Sequence, residues 1–395
     1  MHPNKNKCPI IIINAIAGDA GGWVEFIKGY FDAISASKNR FQYILILNSK
    51  LQKIIGVSTN EKVEVKVIQK PASVLGRLKL DFYIMRLCSY HGALLYNLGN
   101  MPNIFYWRKQ YTRISNSIYL DPTVEKSFDG HTPHFYKKNK KLFYLQCFLA
   151  SKLSAKLVVP SRFMKNLLKR SLSVTGKDIH VVTPGISSFE MLWLKNDCSS
   201  SHYKNSKEII LIDTSTYAEL KNFSTLCRLV YLLRDKFNLN VKLWTHTDLK
   251  TVWRDNEIIK RDALSFARLN EIGGVEVLSE FTSKEVLFRR LLRADGWISL
   301  SQSEALSYTT LDVNQFSIPK FVLDTEINRE FADEHTFFLN IDDEEKSADL
   351  ICSVITQNKE SVLNFKAPSQ SWEKYHNDME RLFEPERLLK RVYQT

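Results

Sequence analysis

The stretch Trp297–Pro319, WISLSQSEALSYTTLDVNQFSIP, decides the fold. It opens on a short apolar run, Gly296 to Leu300, that reads as a strand buried in a sheet. A serine-rich turn carrying Glu304 follows, and Asp312 comes eight positions after that acid. A helix from Thr309 to Phe316 puts Asp312 near its first turn, with Glu304 in the loop at the strand's C-terminal end. In an open α/β sheet that edge is where ligands bind, because loop amides and helix N-termini converge there. Two carboxylates so placed can hold the hydroxyls of a sugar or a ribose. They can equally be a solvated loop acid and a helix-capping acid.

Outward from this stretch the same strand, loop and helix unit repeats. Glu285 to Leu292 leads as a helix into Gly296, and Lys320 to Leu323 is the next strand, with Asp324 at its end. Upstream, strands are expected at Glu208 to Ile212, Val241 to Trp244 and Val275 to Leu278. The loop from Asp213 to Leu220 reaches Lys221, ahead of a helix whose Leu226, Leu229, Val230 and Leu233 share a face. Lys221 there offers a point charge beside free helix amides, which suits phosphate. Strands alternating with helices predict a parallel sheet covered on both faces.

The first half carries a second series of this kind. Ile10 to Ile13 is a β-branched run, Gly18 to Gly22 a glycine-rich loop, and Trp23, Phe26, Ile27, Tyr30 and Ile34 recur at helical spacing. Amides around Gly21 and Gly22 can cradle phosphate, or the loop is a tight turn without a ligand, since the spacing is not G-x-G-x-x-G. Further strands are expected at Tyr43 to Leu47, Val63 to Ile68, Gly92 to Asn97, Ile118 to Pro122, Leu157 to Val159 and Ile179 to Val182. The weakly patterned segment Ser187 to Lys207 reads as a linker between two lobes. The lobes are residues 1–190, joined by a C-terminal helix within 371–395, and residues 207–370.

A length of 395 residues fits about two to three domains. The chain has 55 Lys and Arg against 43 Asp and Glu, a balance of +12 that calls for an anionic partner such as a nucleotide diphosphate or an acidic membrane surface. No zinc-finger, RNA-recognition or helix-turn-helix signature accompanies the charge, so nucleic acid is not expected. The six cysteines are scattered without C-x-x-C, which argues against a zinc site or a disulfide scaffold and for a reducing compartment. With no spanning segment and no secretion signal recognisable, the expected place is the cytoplasm, at most peripheral on the inner face of the cytoplasmic membrane. His131 and His134 in DGHTPHFY are either a general base or phosphate ligand, or a surface loop pair, and no acid-rich set beside them completes a metal site. Two aromatic and basic stretches, Ile104 to Tyr111 and Phe135 to Tyr144, suit a membrane interface or are solvated helix faces with their aromatics in the core.

Ser301, Glu304, Leu311, Asp312 and Pro319 resemble, in order and spacing, the signature S-x-x-E-G-F-G-L-x-x-x-E-A-x-x-x-G-x-P of the family 4 retaining glycosyltransferases. Leu157 to Ser161 resembles that family's strand ending in V-P-S, Ile179 to Ile186 its I-x-V-I-x-N-G strand, and Ser371-Trp372-Glu373 its S-W-x. The departures are Ala305-Leu306-Ser307 in place of Gly-Phe-Gly, Asp312 in place of the second Glu, and Ser317 in place of Gly. The resemblance implies the α/β GT-B fold: two Rossmann-like lobes with a cleft between them, and a C-terminal helix that crosses back to the first lobe.

It also implies roles. Glu304 would face the donor sugar and Asp312 would grip the ribose. Lys221 matches the Lys of the family's G-R-x-x-x-x-K, while Thr216 stands where the Arg is expected. Gly21 and Gly22 take the place of first-lobe glycines near the diphosphate. Asp121 takes the place of a His or Asn near the donor sugar, or starts a turn ahead of Pro122. The catalytic candidates are then Glu304, Asp121 and His131, and the donor-binding candidates Lys221, Asp312, Gly21, Gly22, Thr216, Ala305, Leu306 and Ser307. The activity implied is a metal-independent, retaining hexosyl or deoxyhexosyl transfer, with no cofactor beyond the nucleotide-diphosphate sugar as co-substrate. The acceptor would be a glycan or polyprenyl-diphosphate-linked glycan in surface polysaccharide or lipopolysaccharide synthesis. The departures also fit another class, a GT-B-fold subunit that has lost catalysis and serves as a binding or scaffold partner.

Overall fold

The computed structural model describes residues 8–18, 22–107, 109–126, 128, 134–172, 178–186, 208–215, 217–249, 257–278, 284–357 and 370–384. The chain divides into two compact units, the first comprising Met1–Pro122, Phe128–Ser187 and Ser369–Thr395, the second Thr123–Ser127 and Ser188–Pro368.

The sheet of the first unit has seven strands: β1 Ile10–Asn14, β2 Gln42–Asn48, β3 Val63–Ile68, β4 Leu94–Asn97, β5 Gln110–Arg113, β6 Lys156–Val159 and β7 Ile179–Val181. Their order is β3-β2-β1-β4-β5-β6-β7 and every pairing is parallel. The chain starts in the middle, winds to one edge, then returns and winds to the other. The sheet of the second unit repeats the scheme with β8 Ile209–Asp213, β9 Val241–Thr245, β10 Val275–Val277, β11 Gly296–Ser299, β12 Lys320–Leu323 and β13 Thr336–Leu339 in the order β10-β9-β8-β11-β12-β13. Each sheet therefore has a switch point, β1 beside β4 and β8 beside β11, where the chain's direction of winding reverses. Strands covered on both faces bury apolar side chains at successive positions, as Ile11, Ile12 and Ile13 do on β1, and Leu211, Leu243, Ile298 and Phe321 line the middle of the second sheet.

The helices are α1 Gly22–Ala36, α2 Ser49–Ile55, α3 Val74–His91, α4 Pro122–Lys126, α5 His134–Leu153, α6 Arg162–Leu172, α7 Phe223–Asp235, α8 Glu257–Glu271, α9 Lys284–Leu291, α10 Tyr308–Val313, α11 Glu326–Glu330, α12 Glu344–Gln357 and α13 Trp372–Phe383. Local chemistry sets their ends. Asn48, Ser73, Ser307, Thr325 and Ser371 each accept a backbone N–H in the first turn of the helix they precede, and Gly56 and Gly92 close α2 and α3 in the left-handed conformation that glycine adopts without strain. None of the helices is long and apolar enough, among the described residues, to cross a membrane.

The C-terminal helix α13 packs on the first unit. Trp372 lies edge-on to Phe26 with ring centroids 5.6 Å apart, and the Tyr375 hydroxyl is 3.0 Å from that of Tyr96. Buried Arg113 donates to the Tyr375 hydroxyl at 3.3 Å and places its guanidinium 4.1 Å above the Phe26 ring. Tyr43 donates to Glu380 at 3.0 Å.

Two sequence expectations are corrected. Ile118 to Pro122 is not a strand: Leu120 N–H and Asp121 N–H both donate to the Ser117 carbonyl, at 2.8 and 2.9 Å, in a turn that runs into α4. The strand is Gln110–Arg113, whose polar side chains are buried and satisfied, Gln110 by Asn97 and Asn103, Thr112 by Ser154 at 2.7 Å, Arg113 by Tyr375. The helix expected from Thr309 to Phe316 instead spans Tyr308–Val313, which puts Asp312 in its last turn and not its first.

Candidate functional site

The switch point of the second sheet places two loops side by side, one after β8 and one after β11. The β8 loop ends in a short 3-10 turn, Glu219–Lys221, and Asn222 follows in the left-handed region at φ 49°, which Asn tolerates better than other non-glycine residues. That backbone reversal turns the chain into α7. The loops are joined through main chain and side chain, Gln302 N–H donating to the Leu220 carbonyl at 3.0 Å and the Asn222 amide to the Leu300 carbonyl at 2.9 Å.

Lys221 and Glu304 form an ion pair across this junction. Ser301 completes a triangle: its hydroxyl accepts from the Lys221 ammonium at 3.1 Å and donates to the Glu304 carboxylate at 3.0 Å. The side chains of Lys221 and Glu304 are 20% and 25% exposed, so the pair is held by the protein and still open to a ligand from the loop side. A cation and an acid fixed together in this way can serve a substrate with both anionic oxygens and hydroxyl donors.

Buried acids hold the site in place. Asp213 ends β8 and accepts from the Ser215 backbone N–H at 3.1 Å and hydroxyl at 2.7 Å. Burial pushes its carboxyl up from the ordinary range, opposed by the Ser215 hydrogen bonds and then by Lys221 and His246. Asp262, on α8, accepts from Tyr217 at 2.9 Å and from the Ser224 N–H in the first turn of α7 at 3.1 Å. Its carboxyl is also raised, chiefly by burial. Of the helix amides expected to lie free beside Lys221, that of Ser224 is thus taken by an internal acid. Trp297 on β11 reaches Thr214 through its indole N–H at 2.9 Å and ties the two loops' bases together.

Among the expected residues, Glu304 and Lys221 are brought into direct contact. Asp312 is buried on α10, the helix that follows Glu304's loop. Ala305 and Leu306 are buried, and the Ser307 hydroxyl caps α10 by accepting from Thr310 N–H at 3.2 Å. Asp121 is buried in the first unit ahead of Pro122, and Gly22 is the exposed first residue of α1. Gly21, Thr216 and His131 lie outside the described residues. Among the described residues no group of three or more His, Cys, Asp or Glu could hold a metal ion. Sequence reading missed Asp213 and Asp262. An acid closing the apolar run IILID signals the first, and nothing local signals the second.

No family model matches the sequence, and no curated protein matches it either. Solved structures do. A glycosyltransferase from Rickettsia africae ESF-5 superposes with a TM-score of 0.61 at 15% identity, covering 96% of this chain and 93% of that one. WaaG, a glycosyltransferase involved in lipopolysaccharide biosynthesis, gives 0.57 at 12% identity over 95% and 99% of the two chains. Anabaena HepE, in complex with UDP and glucose, gives 0.54 at 11% identity over 98% and 99%. These similarities establish a GT-B fold of two Rossmann-like units, the fold class that the Glu304 stretch implies.

Proposed function

We propose that the chain is a retaining glycosyltransferase that moves a hexosyl or deoxyhexosyl group from a nucleotide-diphosphate sugar to a glycan acceptor, lipid-linked, in surface polysaccharide synthesis. The observation that carries this reading is the Lys221, Ser301 and Glu304 triangle at the switch point of the second sheet. Lys221 is the group to meet the diphosphate. In the resting state its charge is balanced by Glu304, and a bound donor replaces that balance with phosphate oxygens while Glu304 turns to sugar hydroxyls. As the bond to the leaving diphosphate breaks, negative charge grows on the phosphate oxygens, and a fixed ammonium stabilises that state more than the ground state. Asp312 is assigned the ribose hydroxyls. Gly21, Gly22 and Thr216 are assigned to the diphosphate's surroundings, Ala305, Leu306 and Ser307 offer backbone beneath the sugar, and Asp121 and His131 are first-unit candidates for the acceptor side. The fold neighbour HepE holds UDP and glucose, which supports a nucleotide sugar as the donor class. The charge at the diphosphate comes from Lys221 in this scheme, without a metal, and the site of action is the cytoplasmic face of the membrane.

Buried Ala305 and helix-capping Ser307, where the resembling family has glycines, favour a second reading: a GT-B subunit that binds but does not transfer. One experiment separates the two. A panel of nucleotide sugars is screened for protection against thermal unfolding and for release of free nucleotide diphosphate. Protection with turnover supports the transferase, protection without turnover supports the binding subunit, and neither result is compatible with a chain that ignores nucleotides altogether.

A further inference from the structure

The first unit presents an apolar surface that no element among the described residues covers. On α3, Leu80, Ile84 and Cys88 face the core, yet Leu75, Leu78 and Phe82 are exposed on the other side. A helix apolar on both sides in an aqueous protein signals an external partner. Phe82 meets Phe105 edge to face, with centroids 6.1 Å apart. Two residues on, Trp107 is 62% exposed while its indole N–H is anchored on the Lys152 carbonyl of α5 at 3.2 Å. Lys152 lies 5.6 Å over the Phe148 ring, and Phe148 continues with Leu145 and Leu142 along the exposed side of α5, each about half exposed. One surface thus runs from α3 across the Phe105 loop to α5.

The segments that form it carry exposed charge of a single sign. From Gly130 to Lys177 the sequence has no Asp or Glu, and between Val65 and Leu120 its one acid, Asp81, is buried and paired with Arg77 at 3.0 Å. Lys79, Arg86, Lys137, Lys138, Lys141 and Lys152 are exposed. Those in the first turns of α5 stand where the helix's partial positive charge disfavours cations, so helix stability does not account for them. A second copy of the same face would meet it with like charge.

We propose that this face, formed by α3, Phe105, Trp107 and the outer side of α5, docks on an anionic bilayer, with the aromatic and leucine side chains entering the headgroup boundary and the lysines meeting phosphate headgroups. It revises the two sequence stretches: Tyr106, Tyr111, Tyr136 and Phe143 turn into the core, and α3, which neither stretch included, supplies the longest apolar row. It deepens the function proposed above by naming how the enzyme reaches a lipid-linked acceptor, and rests on that reading for its purpose only.

The test is co-sedimentation of the full chain with phosphatidylcholine vesicles with and without phosphatidylglycerol, at low and at raised salt. The expected result is binding to the anionic vesicles only, weakened by salt, with Phe82→Ser/Phe148→Ser and Lys138→Glu/Lys141→Glu each lowering it about tenfold at unchanged melting temperature. Brominated acyl chains should quench tryptophan emission, and Trp107→Phe should remove most of that quenching. The proposal is overturned if the wild type stays in the supernatant with anionic vesicles at low salt. It is equally overturned if the variants bind as the wild type does, or if sedimentation shows a dimer that Phe82→Ser/Phe148→Ser converts to monomer. Thermal protection by UDP, measured on the same samples, keeps this outcome separate from the transferase reading.

Discussion

Lys221 and Glu304, 83 residues apart in the sequence, share one ion pair and both bond to Ser301 at the reversal point of the second sheet. Partial exposure at both ends means that solvent screens the pair, so it contributes about 0–1 kcal/mol to stability. Its value to the protein is therefore position. Lys221→Met is expected to leave the melting temperature within a few degrees of wild type while abolishing protection by nucleotide diphosphates. The same substitution should lower kcat/KM with the correct donor by about 10²–10³, the usual effect of removing one charge-stabilising donor. Glu304→Gln should keep protection by the nucleotide diphosphate alone and lose it selectively for the intact nucleotide sugar. Differential scanning fluorimetry with UDP and with UDP-sugars side by side reads both outcomes.

Asp312 sits in the last turn of α10, buried, in a helix anchored by its Ser307 cap. A carboxylate that accepts from both ribose hydroxyls distinguishes a nucleotide from its 2′-deoxy analogue by about 1–3 kcal/mol, the cost of leaving a buried acceptor unmet. Calorimetric titration should therefore show wild type binding UDP about tenfold or more tightly than 2′-deoxy-UDP. Asp312→Asn should bind both weakly and nearly equally. Equal affinities in the wild type would remove Asp312 from the ribose site.

The sheets were legible because a strand covered on both faces leaves an unbroken β-branched run, as in Ile10 to Ile13 and Gly296 to Leu300. β5 was not, because Gln110, Thr112 and Arg113 are buried as a hydrogen-bonded polar set, and burial of that kind leaves no apolar pattern to read. Ile118-Tyr119-Leu120 carries the apolar pattern but spends it on a turn that its Ser117 carbonyl closes. Glu304 and Lys221 could each be named from local motif order. Their contact could not, since it depends on β8 and β11 lying side by side with β9 and β10 beyond, a long-range consequence of sheet winding. Asp262 was invisible for the same reason: its partners Tyr217 and Ser224 lie about forty residues away, at separations of 45 and 38.

Gly29 on α1 is needed for the close approach of α13. A Cβ there would run into the Trp372 indole, and one at Gly185 would meet the backbone of Ser371 and Trp372. A ring can rotate away at some cost, whereas main chain cannot. Gly29→Ala is expected to destabilise the protein by about 1–3 kcal/mol, and Gly185→Ala by at least as much. Urea unfolding followed by tryptophan emission measures both. The loss should appear first as greater proteolytic sensitivity of the C-terminal helix, because that helix is held on the first unit through Trp372, Tyr375 and Phe383.

His376 gives α13 a dependence on pH. The ring is fully buried, with Nε2 3.0 Å from the Asn39 side-chain oxygen and 3.5 Å from Glu380, between the rings of Tyr30 and Tyr43. Burial holds its pKa below the ordinary histidine range, and the carboxylates of Glu380 and Glu373 only partly oppose this. Protonation would also bury an Nδ1–H that finds no partner among the described residues. The unfolded chain, with a histidine pKa of about 6.5, then takes up a proton that the folded chain refuses. Stability is thus whole above about pH 6.5 and is lost as pH falls from there toward the lower folded pKa. Melting temperature should be flat from about pH 8 to 7 and decline below about 6.5. His376→Gln, which keeps a polar group beside Asn39 but cannot titrate, should shift the onset of that decline to lower pH, where carboxylates begin to protonate. An unchanged pH profile in His376→Gln would assign the acid sensitivity to other groups.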